Sequence, residues 1–357
     1  MGVRECPNIS RTFAYMTSTS LTRSLGLALT LWQAAAGTAS ALISLETVPV
    51  ADNKSSGDLG YSYSIAKYEV TLNQYCTFLN AVAASDTYGV YNTYLNSLPQ
   101  VRGISRTGTS GSYHYTVVGS GNRPVTYVSW FDAARFVNWL EHGQPTGAQG
   151  PATTETGAYT LNGAVSGMSI TRNASAKYVL PSDAEWYKAA YYDPTLNGGA
   201  GGYWEYPTRS NDQPNSRFGS TSDPNSANFY YDDGLANGYN GGFAANNSTT
   251  PPNGNALTDA GAFRLASSYY GTFDQGGNAE EWTEEPGDAG RVVRGGSWNT
   301  YGDLLSAYTT QWTDPTQERW DIGFRVAVIP EPGVGGLWLA GPGLIAAKRV
   351  VMRRRRH

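Results

Sequence analysis

Residues 193–268 are built from Gly, Asn, Pro, Ser and Tyr and show no hydrophobic period of either 2 or 3.6 over any useful length. A stretch this long without regular structure is tolerated inside a compact domain only if something other than backbone ladders ties it down, and a bound ion is one such tie. The stretch excludes helical bundles and coiled coils. The composition agrees: 42 Gly and 18 Pro in 357 residues place much of the backbone in turns. With 40% hydrophobic and 15% charged residues, the chain is nevertheless too apolar to stay disordered and long enough to bury a core.

Upstream of that stretch, three segments carry the same helix-start chemistry. In Thr71-Leu72-Asn73-Gln74 the hydroxyl can cap an early N–H while Gln74 reaches back, and Tyr75, Phe78, Leu79 and Val82 follow at helical spacing. Ser129 with Asp132 opens a second helix bearing Ala133, Phe136, Val137 and Leu140 on one face, and Ser182 with Glu185 opens a third through Trp186, Ala189 and Ala190. Residues 61–70, 124–128 and 177–180 read as strands or extended entries to these helices, and 291–298 and 323–328 as late strands. No internal repeat or strong linker divides residues 42–329.

Both ends read as addresses. From Met16, a short segment with Arg23, an apolar stretch from Leu25 to Trp32 and the small residues Ala39, Ser40 and Ala41 form a secretory signal, so residues 1–41 are expected to be removed, with Met16 as the true start. Residues 330–357 comprise Pro330, Glu331 and Pro332, an apolar run from Gly333 to Ala347, and the cluster Arg353 to Arg356. A span takes about 20 apolar residues, so the run is a marginal, transient membrane anchor, and the arginines hold its end in the cytoplasm. The formal net charge is −4. Because Arg4, Arg11, Arg23, Lys348, Arg349 and the arginine cluster all lie in the ends, the body is far more acidic than that figure, which argues against nucleic acid as a partner. Cys6 and Cys76 cannot make a disulfide framework, and Cys76 reads as a lone buried thiol. His114, His142 and His357 are too scattered for a zinc or iron site.

The segments YEVTLNQYCTFLNAVA, RPVTYVSWFDAARFVNWL, VLPSDAEWYKAAYYDP, FDQGGNAEEWTEE, RVVRGGSWNT and DIGFRVA follow the order found in the formylglycine-generating enzyme, or sulfatase-modifying factor, family, which residues 42–329 resemble. The resemblance implies an α+β class, a loop-rich formylglycine-generating-enzyme fold with a C-type-lectin-like core, often stabilised by structural calcium. The C-terminal layout resembles the PEP-CTERM sorting signal. That implies an exosortase-type processing enzyme as partner and export to the outer surface or extracellular matrix of a Gram-negative bacterium.

What the family does chemically depends on two cysteines that bind copper(I), a soft metal that prefers thiolates. Counted from Arg294-Gly295-Gly296-Ser297, the matching positions are Thr300 and Leu305, and neither has a sulfur. The resemblance therefore implies neither copper nor formylglycine-generating activity, and the three-histidine iron site of related sulfoxide synthases has no histidines to build it. For calcium it points to Asn278 and Glu281, with Glu280 standing where the family usually has Trp, and to Asn228 followed by one of Asp232, Asp233 or Asp259. The glycines at 295, 296 and 323 read as points of close backbone approach rather than a phosphate cradle.

Between the late strands lie Trp298, Asn299, Tyr301, Tyr308, Gln311, Trp312 and Trp320. In lectin-like relatives this connection lines the binding face, and aromatic faces beside amides and hydroxyls suit a glycan or peptide ligand. The leading expectation is an exported ligand-binding or structural module without the catalytic pair. An oxidase or hydroxylase acting on an exported protein is a second reading, and a carbohydrate-active hydrolase using glutamates 280, 281, 284 and 285 is a third.

Overall fold

The computed structural model describes residues 3–5, 42–52, 59–217, 223–231 and 241–330. All three helix starts form as capping boxes. Leu72–Val82 is capped by Thr71, Trp130–Glu141 by Ser129 and Asp183–Tyr191 by Ser182, each with its partner side chain returning to the cap N–H. The expected strands are shorter than the apolar runs that suggested them. Residues 61–70 yield Tyr63–Ala66, 177–180 yield Tyr178–Val179, and 124–128 contribute only an isolated bridge from Pro124 to Thr71.

Two four-stranded sheets organise the body. In one, Tyr63–Ala66 and Tyr178–Val179 flank Ala327–Val328, and Thr47–Val50 closes the edge, all antiparallel. In the other, Gln311–Thr313, Arg291–Arg294 and Glu280–Pro286 run antiparallel, and Ile322–Phe324 joins the last of these in parallel. A third sheet pairs Ile104–Thr107 with His114–Val118, whose other edge takes Val3–Glu5, part of the segment expected to be a leader. The rest of that leader, and the sorting segment beyond Pro330, lie outside the described residues.

The core forms where the first two helices meet the parallel strand. Phe136 lies 5.4 Å from Phe78 and 5.3 Å from Phe324 between ring centroids, with Tyr75 and Trp139 alongside. These rings are fully or almost fully buried, and truncating one such aromatic to Ala costs about 3–5 kcal/mol. Thus the amphipathic faces read from the sequence carry the energetic centre of the fold.

The aperiodic stretch is tied down by scattered backbone bonds, such as Ala256 N to the Gln100 carbonyl at 2.7 Å and Tyr230 N to the Thr300 carbonyl at 3.0 Å, together with side-chain amides. Asn225 accepts from Thr208 at 2.6 Å and donates to the Asp212 carbonyl at 3.0 Å. Asn228 donates to the Ala256 carbonyl at 2.9 Å, and Asn255 to the Arg102 carbonyl at 2.8 Å. Such bonds replace the missing ladders, because a buried backbone group without a partner is costly. Among the described residues no helix is long and apolar enough to cross a membrane.

Candidate functional site

Gly295 and Gly296 both adopt left-handed backbone, with φ of +93° and +64°. A Cβ on Gly295 would lie 2.5 Å from the Gln275 carbonyl oxygen, so the second sheet can bring this turn down only through a glycine. Replacing Gly295 with Ala should therefore cost roughly 3 kcal/mol, read as a lower urea midpoint with an unchanged slope. A Cβ on Gly296 would meet Thr300 Oγ1 at 2.8 Å and Leu305 Cδ1 at 2.9 Å. The two positions matched to the family's cysteines thus both crowd the space a side chain on Gly296 would fill. The Thr300 hydroxyl accepts from Ser297 N at 2.7 Å and donates to Ser297 O at 3.1 Å, while Leu305 is buried with Tyr206, Ala227 and Phe229.

A hydroxyl and an isobutyl group offer copper(I) no soft donor, so this pair does not fit that metal. Cys76 does not substitute. It is buried in the first helix with its sulfur in a disulfide, which corrects its reading as a lone thiol.

The residues indicated for calcium hold one another. Both Glu281 oxygens pair with Arg325 at 2.5 Å, and Trp186 Nε1 donates to Oε2 at 2.7 Å. Asn278 Oδ1 accepts from Asn228 Nδ2, Thr258 N and Thr258 Oγ1 at 3.0, 3.0 and 3.2 Å. Calcium takes six to eight oxygens at about 2.3–2.6 Å. The side-chain oxygens of Glu281 and Asn278 are thus already met by the chain's own donors, and Asp232 and Asp233 fall outside the described residues.

The aromatic connection divides. Trp298 is buried, stands edge-on to Trp320 at 5.5 Å and packs against Phe243 at 5.8 Å. Tyr230 continues the row, 4.6 Å from Phe243 and 5.4 Å from Tyr301. Trp320 and Tyr301 reach solvent at 37% and 58% exposure, and Asn299 is half-buried beside them. Gln311 and Trp312 lie instead on the edge strand of the second sheet. There the indole covers Gly287 so closely that a Cβ would fall 1.7 Å from Cδ1. Tyr308, the most exposed of the set at 84%, belongs to neither group.

Residues distant in the sequence complete the face. Tyr127 adopts φ +53°, stacks on the exposed Tyr94 at 5.2 Å and packs against the Trp298 cluster. Beneath Trp320, Arg319 grips Asp321 through Nε and Nη2 at 3.0 and 2.9 Å, and its Nη1 lies 3.7 Å from Glu280 Oε2. Ser297 donates to Asp321 at 3.3 Å, which joins this charged cluster to the backbone of the aromatic turn. Burial pushes the Glu280 carboxyl up to about 7, with the Arg319 charge opposing and Asp321 assisting.

The glutamates proposed as a hydrolytic pair are taken up elsewhere. Glu281 pairs with Arg325, Glu284 with Arg172 at 2.9 Å and Tyr159 at 2.9 Å, and Glu285 is exposed. Strand alternation sends 280 and 281 to opposite faces, and 280, 281 and 284 each meet a different arginine.

The sulfatase-modifying factor enzyme 1-like domain family matches residues 48–329. Solved structures similar to the chain include Treponema denticola variable protein 1, at 18% identity over 81% of this chain and 96% of that one, with a TM-score of 0.44. CarF is similar at 20% identity over 80% and 98%, with a TM-score of 0.43, and PvdO from Pseudomonas aeruginosa at 16% over 80% and 91%, with 0.36. No curated sequence matches the chain. With six ordered motifs, a loop-rich mixed fold and a family match over most of its length, the chain belongs to the sulfatase-modifying factor enzyme 1-like domain family.

Proposed function

We propose that this chain is an exported, surface-directed member of its family that binds a ligand through the face of Trp298, Tyr301 and Trp320, without formylglycine-generating chemistry. The observation that carries the reading is the pair Thr300 and Leu305. The side chains that converge on Gly296 offer one hydroxyl already bonded to Ser297 and one alkyl group, neither able to form a thiolate. The adjacent rings bury apolar area and leave polar rims, as glycan- and peptide-binding surfaces do.

Incubating the purified body with a cysteine-containing sulfatase peptide and copper should leave the peptide mass unchanged; an aldehyde product would end the reading. Glycan and peptide arrays probed with the wild type and with the Tyr301→Ala, Trp320→Ala variant should show a signal that the variant loses, and equal signals would remove the face from the assignment. The leader and the Pro330-Glu331-Pro332 sorting segment are part of the same proposal. N-terminal sequencing and intact mass of the exported protein test them: an N-terminus near residue 42 and a C-terminus near 330 are expected. Retention of residues 3–5, which pair with His114–Val118, or of the disulfide on Cys76, whose partner cysteine the leader carries, would instead place that segment in the mature fold.

A further inference from the structure

Glu280 is the one charged residue of the second sheet whose carboxylate is left short of partners beneath the aromatic face. It is 1% exposed, Oε2 has no hydrogen bond among the described residues, and the nearest guanidinium, Arg319, already gives Nε and Nη2 to Asp321. Arg319 Nη1 stands off at 3.7 Å while its side chain remains 36% exposed. The local count is two carboxylates, Glu280 and Asp321, to one guanidinium. Glu318 adds a third carboxylate two residues from Trp320, bonded to Asn92 rather than to a cation. Trp320, 37% exposed, follows Arg319 in the chain, and the exposed Tyr94 stacks on Tyr127, whose N–H donates to the Arg319 carbonyl at 2.9 Å; the negative π-faces of these rings favour a cation over an anion.

Resting on the binding-face reading above, we infer that the ligand's recognised group is basic: a guanidinium or ammonium side chain of a peptide, seated on the tyrosine and tryptophan rings with Glu280 as its counter-charge. Such a group supplies the donor that Glu280 Oε2 lacks, and the acidic body draws it in. A neutral sugar would gain nothing from the buried charge, and an anion would be repelled. Glu280 stands where the family resemblance places Trp, so this selectivity belongs to the present chain rather than to the shared scaffold.

The test titrates the wild-type body at pH 8, where Glu280 is ionised, by intrinsic tryptophan fluorescence, with three capped tripeptides, acetyl-Gly-Arg-Gly-amide and its Gln and Glu counterparts, and with a neutral chitin oligosaccharide. The Arg peptide should bind at least tenfold tighter than the Gln and Glu peptides, and high salt should weaken it. Glu280→Gln should erase that preference, while Glu285→Gln, an exposed charge on the same strand, should keep it. Equal affinities for the three peptides, or a preference that survives Glu280→Gln, would overturn the inference. The peptide series on the wild type decides the matter even if the Glu280→Gln variant fails to fold. Binding of the oligosaccharide alone would overturn this inference and leave the binding face standing, whereas silence from every probe would count against both.

Discussion

Replacing Arg325 with Met should lower the stability of the body by about 3–5 kcal/mol, the largest single-site loss expected outside the aromatic core. Arg325 is fully buried and makes bonds in every direction its fork permits. Nε and Nη2 clamp Glu281 at 2.5 Å, Nη1 donates to the Ala66 carbonyl at 3.0 Å, and Nη2 donates to the Phe273 carbonyl at 2.9 Å. The residue therefore joins both four-stranded sheets and the segment leading into the Asn278 turn. Its charge also opposes Glu69 and Asp274, whose carboxyls burial pushes upward. Removing it strands Glu281 with the Trp186 indole as its one remaining side-chain donor, and leaves two carbonyls without theirs. That penalty, more than the worth of the pair itself, sets the size of the effect. The double change Glu281→Gln, Arg325→Met should recover part of the loss, because the uncompensated charge is then gone. Urea unfolding followed by tryptophan fluorescence measures both. A single-variant loss below about 1 kcal/mol would mean that the pair is not buried as described.

What the sequence made legible was local, and what it hid was not. The three capping boxes are legible because hydroxyl, N3 partner and apolar face lie within a dozen residues of one another. The strand Glu280–Pro286 was hidden because half its pairing comes from Ile322–Phe324, in parallel and across the whole aromatic connection. Its glutamates consequently read as one charge cluster, although 280, 281 and 284 each face a different arginine. The connection itself was read as one surface. Spacing along the chain could not show that Gln311–Thr313 peels Trp312 away to a sheet edge, nor that Tyr94, Tyr127, Tyr230 and Phe243 arrive from other segments to replace it. The stretch over residues 193–268 correctly signalled an unusual tie, but amide side chains meet carbonyls at separations that no periodicity records.

Stability should fall, not rise, as pH increases from 5 to 8. Asp132, buried at the second helix start, and Glu280, beneath the aromatic face, are each pushed up to about 7, in both cases chiefly by desolvation. Asp274 is pushed up to about 6 by the same cause. A carboxyl whose folded value exceeds its unfolded one binds its proton more tightly in the native state. Its contribution is therefore complete below the unfolded value near 4 and is lost as pH climbs through the folded value. At about 1.4 kcal/mol for each tenfold change in proton affinity, Asp132 and Glu280 each stand to withdraw roughly 4 kcal/mol between pH 4 and pH 8. Glu185, held below its usual range by the Arg172 guanidinium despite burial, works in the opposite sense and loses its contribution only in more acidic solution. The optimum should accordingly sit near pH 5. Asp132→Asn keeps an oxygen to accept from Ser129 N, now at 2.8 Å, while removing the charge. This variant and Glu280→Gln should each melt above the wild type at pH 8 and lose that advantage at pH 5. Melting curves at the two pH values decide: a wild type more stable at pH 8, or variants that shift equally at both, would mean that these carboxyls are solvated rather than buried.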